Sequence, residues 1–156
     1  MSKIRVILDT NVLYAGLYSS RGASFQVLDH VEQGTVRIVL STTLLFEYEE
    51  VLKRHQTILK MTASEIDGFL DELCRLGDCQ RVHFLWRPQL SDPQDDHLLE
   101  LAVASGQTSI VTHNTRHFGG AKPFGIKIIT PKKLGSTSFS MGQKRLFPLG
   151  EEGLKT

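Results

Sequence analysis

Ile4-Arg5-Val6-Ile7-Leu8-Asp9-Thr10-Asn11 is the stretch that decides the fold. A short run of mostly β-branched apolar residues stops abruptly at three polar ones. Such a run reads as a strand buried on both faces, the habit of parallel sheets. Val36 to Leu40 is a second run of this kind and Ser109 to Val111 a third. Ile126 to Ile129, after Gly125, is expected as the last strand, and Arg81 to Leu85 as a further one.

Helical patterns fill the spaces between. Phe25, Val27, Leu28 and Val31 share a face, and Gly34 can end that helix. Ser41 or Thr42 caps a helix with Leu44, Leu45, Tyr48, Val51 and Leu52 on its apolar stripe. Thr62-Ala63-Ser64-Glu65 opens another, with Ile66, Phe69, Leu70 and Leu73 inward. Ser91-Asp92-Pro93 is a cap followed by proline at the first helical position, and that helix runs to a stop at Gly106. Alternating strands and helices predict an α/β sheet with helices on both faces. From Gly135 the chain turns to Gly, Ser, Lys and Pro without periodicity, so 135–156 reads as a tail or arm.

The 156 residues amount to one domain, with enough apolar content (40%) to bury a core. No apolar run is long enough for a membrane helix and no signal peptide opens the chain, so the expected home is the cytoplasm. Cys74 and Cys79 form neither a zinc framework nor a Cys-x-x-Cys pair, and are expected as buried or half-buried thiols. A net charge of +1 excludes a strongly basic nucleic-acid coat and an acidic tail.

Ligands of open α/β sheets sit at the carboxyl ends of the strands. Asp9, Thr10 and Asn11 follow the first strand, and Thr112, His113 and Asn114 follow the strand at 109–111. Either triplet alone is equally well a turn or a helix cap. Glu47 lies along the edge of its helix's buried stripe, whereas Glu49 and Glu50 fit a solvated face. Asp92, Asp95 and Asp96 crowd a helix start, where the dipole favours acids. Asp92 suits the cap, Asp95 faces the side of Leu98, Leu99 and Ala102, and Asp96 points one step round. Inward-leaning carboxylates from distant segments repel unless a cation joins them, and hard oxygen donors suit Mg²⁺ or Mn²⁺. Without these five acids the chain keeps 12 of its 17 acids against 18 bases, a remainder of +6 that suits a phosphate substrate. Lys53, Arg54, Arg116, Lys122, Lys132 and Lys133 are candidates for a phosphate rim.

Four segments in this order and spacing carry a resemblance: Leu-Asp9-Thr-Asn11-Val-Leu, Leu-Leu-Phe-Glu47-Tyr-Glu-Glu-Val-Leu, Asp92-Pro-Gln-Asp95-Asp-His-Leu-Leu-Glu-Leu-Ala102, and Ile-Val-Thr112-His-Asn114-Thr-Arg-His-Phe118. Over residues 3–134 the chain resembles the PIN-domain nucleases, and most of all the toxin components of toxin–antitoxin pairs (VapC-like). The resemblance implies a three-layer α/β/α sandwich with a central parallel sheet over 1–134. It implies a metal-dependent endoribonuclease using Mg²⁺ or Mn²⁺, with RNA as substrate, an antitoxin protein as partner, and a homodimer. It places the family's acids on Asp9, Glu47 and Asp95, with Asp96 or Asp92 as a supplementary ligand. Asn11 matches the polar residue next to the first acid and Thr112 the hydroxyl before the fourth position; with Arg116 from the phosphate rim they are the candidate substrate-binding residues. The fourth acid is replaced by Asn114, and the later Asp of the family's Asp-Phe pair by His117, so the site has one carboxylate fewer.

Other readings are weaker. A HAD-type phosphatase needs a second Asp where Asn11 stands, and a receiver domain needs paired acids where Lys3 and Arg5 stand. His113 and His117, at i and i+4, could pair on a metal but are expected on a surface turn or against RNA. The alternative outside enzymology is a catalytically weak module that binds RNA or a partner protein.

Overall fold

The computed structural model describes residues 4–82 and 96–135. Strand β1 (Ile4–Leu8) leads into helices α1 (Thr10–Tyr18) and α2 (Ala23–Gln33), then β2 (Val36–Leu40). Helices α3 (Thr42–Arg54), α4 (Gln56–Leu59) and α5 (Ala63–Leu76) precede β3 (Asp78–Cys79). Helix α6 (Asp96–Ala104), β4 (Ser109–Val111), a 3₁₀ segment (Thr115–Phe124), β5 (Ile128–Ile129) and α7 (Pro131–Gly135) follow.

The five strands form one parallel sheet in the order β3-β2-β1-β4-β5, within an α/β/α sandwich. The order explains where the apolar runs lie. Central β1 carries Val6, Ile7 and Leu8, all fully buried, and β2 carries Ile38, Val39 and Leu40 likewise. Full burial of each such side chain contributes about 1.5–3 kcal/mol. From β1 the chain moves outward through β2 to β3, then returns to the other side of β1 for β4 and β5. The crevice at the carboxyl ends of β1 and β4 is therefore the topological switch point, where such sheets hold ligands.

Local signals act as expected at several ends. Ser41 accepts the Leu44 amide at 3.1 Å and caps α3. Thr62 and Glu65 form a reciprocal capping box on α5. Gly34, with φ 87°, ends α2 in the left-handed conformation. Gly106 follows the end of α6 with φ 91°.

Three expectations are corrected. The third strand is Asp78–Cys79 rather than 81–85: Arg81 and Val82 lie outside it, and 83–85 lie outside the described residues. It is a two-residue edge strand, paired to Val39 and Leu40, with no apolar run to announce it. Its edge position also leaves Cys79 exposed, while Cys74 is half-buried. The last strand is trimmed to Ile128–Ile129, although the Lys127 carbonyl still accepts from Ile110 at 2.9 Å.

Helix α1 has no counterpart among the helices expected above, where the Asp9 triplet reads equally as a turn or a helix cap. Within it Gly16 is a point of close approach. A Cβ there would lie 2.6 Å from Leu28 Cδ1 and 3.0 Å from the Ser24 carbonyl of α2. The start of the helix at 91–95 and the tail at 136–156 lie outside the described residues. Among the described residues no helix is long and apolar enough to cross a membrane.

Candidate active site

Asp9 is the first residue beyond β1, and its amide donates to the Val111 carbonyl at 2.9 Å, continuing the ladder with β4. Its extended backbone (φ −61°, ψ 149°) occupies the N-cap position of α1, and its carbonyl accepts from the Val12 amide. Its side chain, however, makes no capping bond. The carboxylate instead accepts the Thr112 hydroxyl at 2.7 Å and a longer contact from the Asn11 amide at 3.4 Å. It is only 6% exposed. Burial pushes its pKa above the ordinary carboxylate range. Hydrogen bonds from Thr112 and the Thr10 backbone oppose this, and the negative charge of Glu47 adds to it.

Glu47 comes from α3, at the edge of its buried face as expected, with a side chain 30% exposed. Its neighbour Tyr48 fixes the approach of the helix. The fully buried Tyr48 hydroxyl donates to the Leu8 carbonyl at 2.5 Å, joining the residue after Glu47 to the residue before Asp9. Burial and the charges of Asp9 and Glu47 push the Tyr48 phenol well up, so it stays a donor. The Glu47 oxygens are held separately. Oε1 lies 2.9 Å from His97 Nε2 of α6, and Oε2 accepts the Thr10 hydroxyl. Burial would raise the Glu47 pKa, but these hydrogen bonds and the nearby imidazole outweigh it, and the net shift is downward.

Thr112 links the two triplets. Besides donating to Asp9, its hydroxyl accepts from the Asn114 amide at 3.0 Å and lies 3.4 Å from Asn11 Nδ2. Asn11 Oδ1 accepts the His113 amide at 3.3 Å. Asn11, Thr112 and Asn114 thus sit together beside Asp9, with the Asn114 side chain exposed at the rim. Arg116 is exposed two residues further on, in the 3₁₀ segment.

Asp96 is buried in the first turn of α6, more deeply than its expected one-step rotation implied. Asp92 and Asp95 lie outside the described residues. Among the described residues, no group of three or more His, Cys, Asp or Glu is close enough to hold a metal ion. His113 and His117 are both exposed, and His113 Nε2 is engaged by Ser24 at 2.9 Å.

The expected phosphate rim narrows. Lys53 is paired with Glu49 and Asp67, each at 2.8 Å, and Arg54 with Glu50 at 3.2 Å. Lys133 lines a groove with Ile4 and Ser109, which begin β1 and β4, so it and adjacent Lys132 belong to the far end of the sheet. Arg116 and Lys122 remain on the segment that leaves the carboxyl end of β4. Sequence reasoning missed Tyr48 and His97 as parts of the site and named Thr10 only among the polar residues after the first strand, without a role. Their only sequence signal was adjacency to Asp9, Glu47 and Asp96.

The donor set suits a hard divalent cation. Asp9 and Glu47 offer carboxylate oxygens from separate elements, and their mutual repulsion is what a cation relieves. No curated protein matches this chain. A family model described as the PIN domain matches residues 5–116, a span that covers Asp9, Glu47, α6 and Asn114. That span and the parallel sheet with acids at its switch point lead to one assignment: the chain belongs to the PIN-domain family, whose members are generally nucleases that use divalent metal ions.

Proposed function

We propose that this chain is a Mg²⁺- or Mn²⁺-dependent endoribonuclease, and that it is the toxin of a toxin–antitoxin pair. The observation that carries the nuclease reading is the convergence of Asp9 and Glu47, from a strand end and a separate helix, at the switch point of the sheet. The toxin role rests on the likeness of the four sequence segments to VapC-like proteins, and brings with it an antitoxin partner and a homodimer.

Asp9 and Glu47 would hold the cation; Asp95 is the further ligand that the sequence resemblance supplies, and Asp96, buried in the first turn of α6, would have to move toward them to join. When bound, Mg²⁺ or Mn²⁺ supplies the Lewis acidity that generates a nucleophilic water at neutral pH and steadies charge on a phosphodiester. The chain's own residues do the rest. Thr112 keeps the Asp9 carboxylate turned into the crevice. Asn11 presents its side-chain amide beside it, and Asn114, held nearby through its backbone amide on Thr112, would add its own; both can donate to a phosphate oxygen or orient water. Arg116 offers a guanidinium to the next phosphate.

The test is cleavage of a mixed RNA substrate by purified protein with Mn²⁺, with Mg²⁺ and with EDTA, beside Asp9→Asn. Cutting that needs the metal and falls at least about 100-fold in Asp9→Asn, more than loss of a supporting residue usually costs, is expected. A fully active Asp9→Asn protein would sink the reading. For the toxin role, expression in a bacterial host should arrest growth, and Asp9→Asn should not.

A second reading has one observation in its favour. The fourth position holds a neutral, exposed Asn114. If wild type is inert and Asn114→Asp cuts, the natural chain is a PIN module that binds RNA or a partner without turnover.

A further inference from the structure

We infer that His97 is a positioning residue which, with Thr10 opposite it, fixes the Glu47 carboxylate in the orientation a cation site needs; this inference rests on the metal-nuclease reading above. Neither residue belongs to the carboxylate set. Each contacts Glu47 from a different element, His97 from the first turn of α6 and Thr10 from the first residue of α1.

The division of labour is specific. Nε2 of His97 lies 2.9 Å from Oε1, and the Thr10 hydroxyl donates to Oε2. An unheld Glu at 30% exposure would sample several rotamers, and holding it in one costs side-chain entropy. Two donors approaching from two elements leave one orientation. Each carboxylate oxygen has a second lone pair, so the clamp does not use up the capacity of Glu47 to bind a cation. Because a carboxylate only accepts, the shared proton sits on His97 Nε2.

The other ring nitrogen argues against a merely structural His. Among the described residues, Nδ1 of His97 is buried without a hydrogen-bond partner. A buried unsatisfied nitrogen costs more stability than one partly exposed imidazole–carboxylate contact returns. The ring is therefore placed at a net cost to stability, and its polar contact through Nε2 goes to Glu47. That pattern fits a residue kept for what it does to its neighbour.

Mn²⁺ affinity by titration calorimetry, with a thermal melt on each protein, tests this for wild type, Glu47→Ala, His97→Ala, His97→Gln and Thr10→Val. Glu47→Ala should weaken binding most. His97→Ala and Thr10→Val should each weaken it about 10- to 100-fold, the usual cost of removing an outer partner of a metal ligand. His97→Gln, which keeps a donor, should recover part of the loss. A folded His97→Ala protein that binds Mn²⁺ within twofold of wild type overturns the positioning role and leaves the nuclease reading standing. Wild type that takes up no Mn²⁺ overturns that reading, and the positioning role with it. If His97→Ala does not fold, Thr10→Val decides alone: affinity within twofold of wild type overturns the clamp.

Discussion

The two ends of the sheet handle charge in opposite ways. Where the strands begin, Arg5 and Arg37 share Asp78 at 3.4 and 2.7 Å, and Arg5 also donates to the Ser105 carbonyl at 3.1 Å. Opposite charges meet there, about a third exposed, and are balanced locally. Where the strands end, Asp9 and Glu47 come together with neutral donors and an imidazole around them, and the negative charge of one raises the pKa of the other. Pairing opposite charges is what a surface does for modest stability. Gathering like charges in a buried crevice lowers stability, and it persists where the charges have a task. The contrast separates a structural end from a functional one without reference to any relative.

The sharpest way to break this contrast is Asp9→Asn. Activity should fall at least about 100-fold, equivalent to about 2.7 kcal/mol of lost transition-state stabilisation. Stability should move the other way. The folded state raises the Asp9 pKa, so it binds that proton more tightly than the unfolded chain. The Asp9 contribution to stability therefore falls as pH rises from the unfolded carboxyl value, about 3.9, through the raised folded one. The folded pKa of Glu47 is lowered, so its contribution is present above its unfolded value and is lost as pH falls through the folded one. Asp9→Asn removes only the first effect. In divalent-free buffer the variant should melt higher than wild type at pH 7 and close to it near pH 3.5. A variant that melts lower at pH 7 would mean that Asp9 is a stabilising cap after all.

Tyr48→Phe comes next and tests how the functional end is built. The change deletes one hydroxyl and leaves the Leu8 carbonyl buried without that donor. The expected loss is about 1–3 kcal/mol, read by urea denaturation. Because Tyr48 ties α3 to the end of β1 beside Glu47, RNA cleavage should drop as well. Lost stability with unchanged cleavage would show that the packing of α3 alone places Glu47.

The same contrast explains what was legible in the sequence. Asp9 was readable because a strand end is a one-dimensional signal: the apolar run stops, and the next residue emerges at the carboxyl edge. Glu47 was readable as an acid at the margin of a helical stripe. The sheet followed from the runs at 4–8, 36–40 and 109–111. What holds Glu47 was not readable, because Thr10, Glu47 and His97 are 37 and 50 residues apart and meet only after three elements are packed. The phosphate rim failed for a related reason. Lys53 and Arg54 look available in a charge count, yet each has an acid one turn away on its own helix. Asp78–Cys79 escaped because an edge strand of two residues is defined by its partner strand rather than by its composition.

The smallest effect belongs to the structural end. Asp78→Asn removes the negative charge that Arg5 and Arg37 share but keeps an oxygen for one of them. These side chains are 35–41% exposed, so solvent already screens most of the attraction. Loss of the shared carboxylate should cost about 0.2–1 kcal/mol, and less in high salt. Cleavage should be unchanged, since Asp78 begins an edge strand and Asp9 lies past the end of the central one. The comparison with Asp9→Asn is then a reversal of sign. Removing an acid from the paired end lowers stability slightly and spares activity, whereas removing one from the crowded end raises stability and abolishes activity. If Asp78→Asn lowered cleavage as strongly as it lowered stability, the two ends would be coupled through β1. The division of the sheet into a structural and a functional end would then fail.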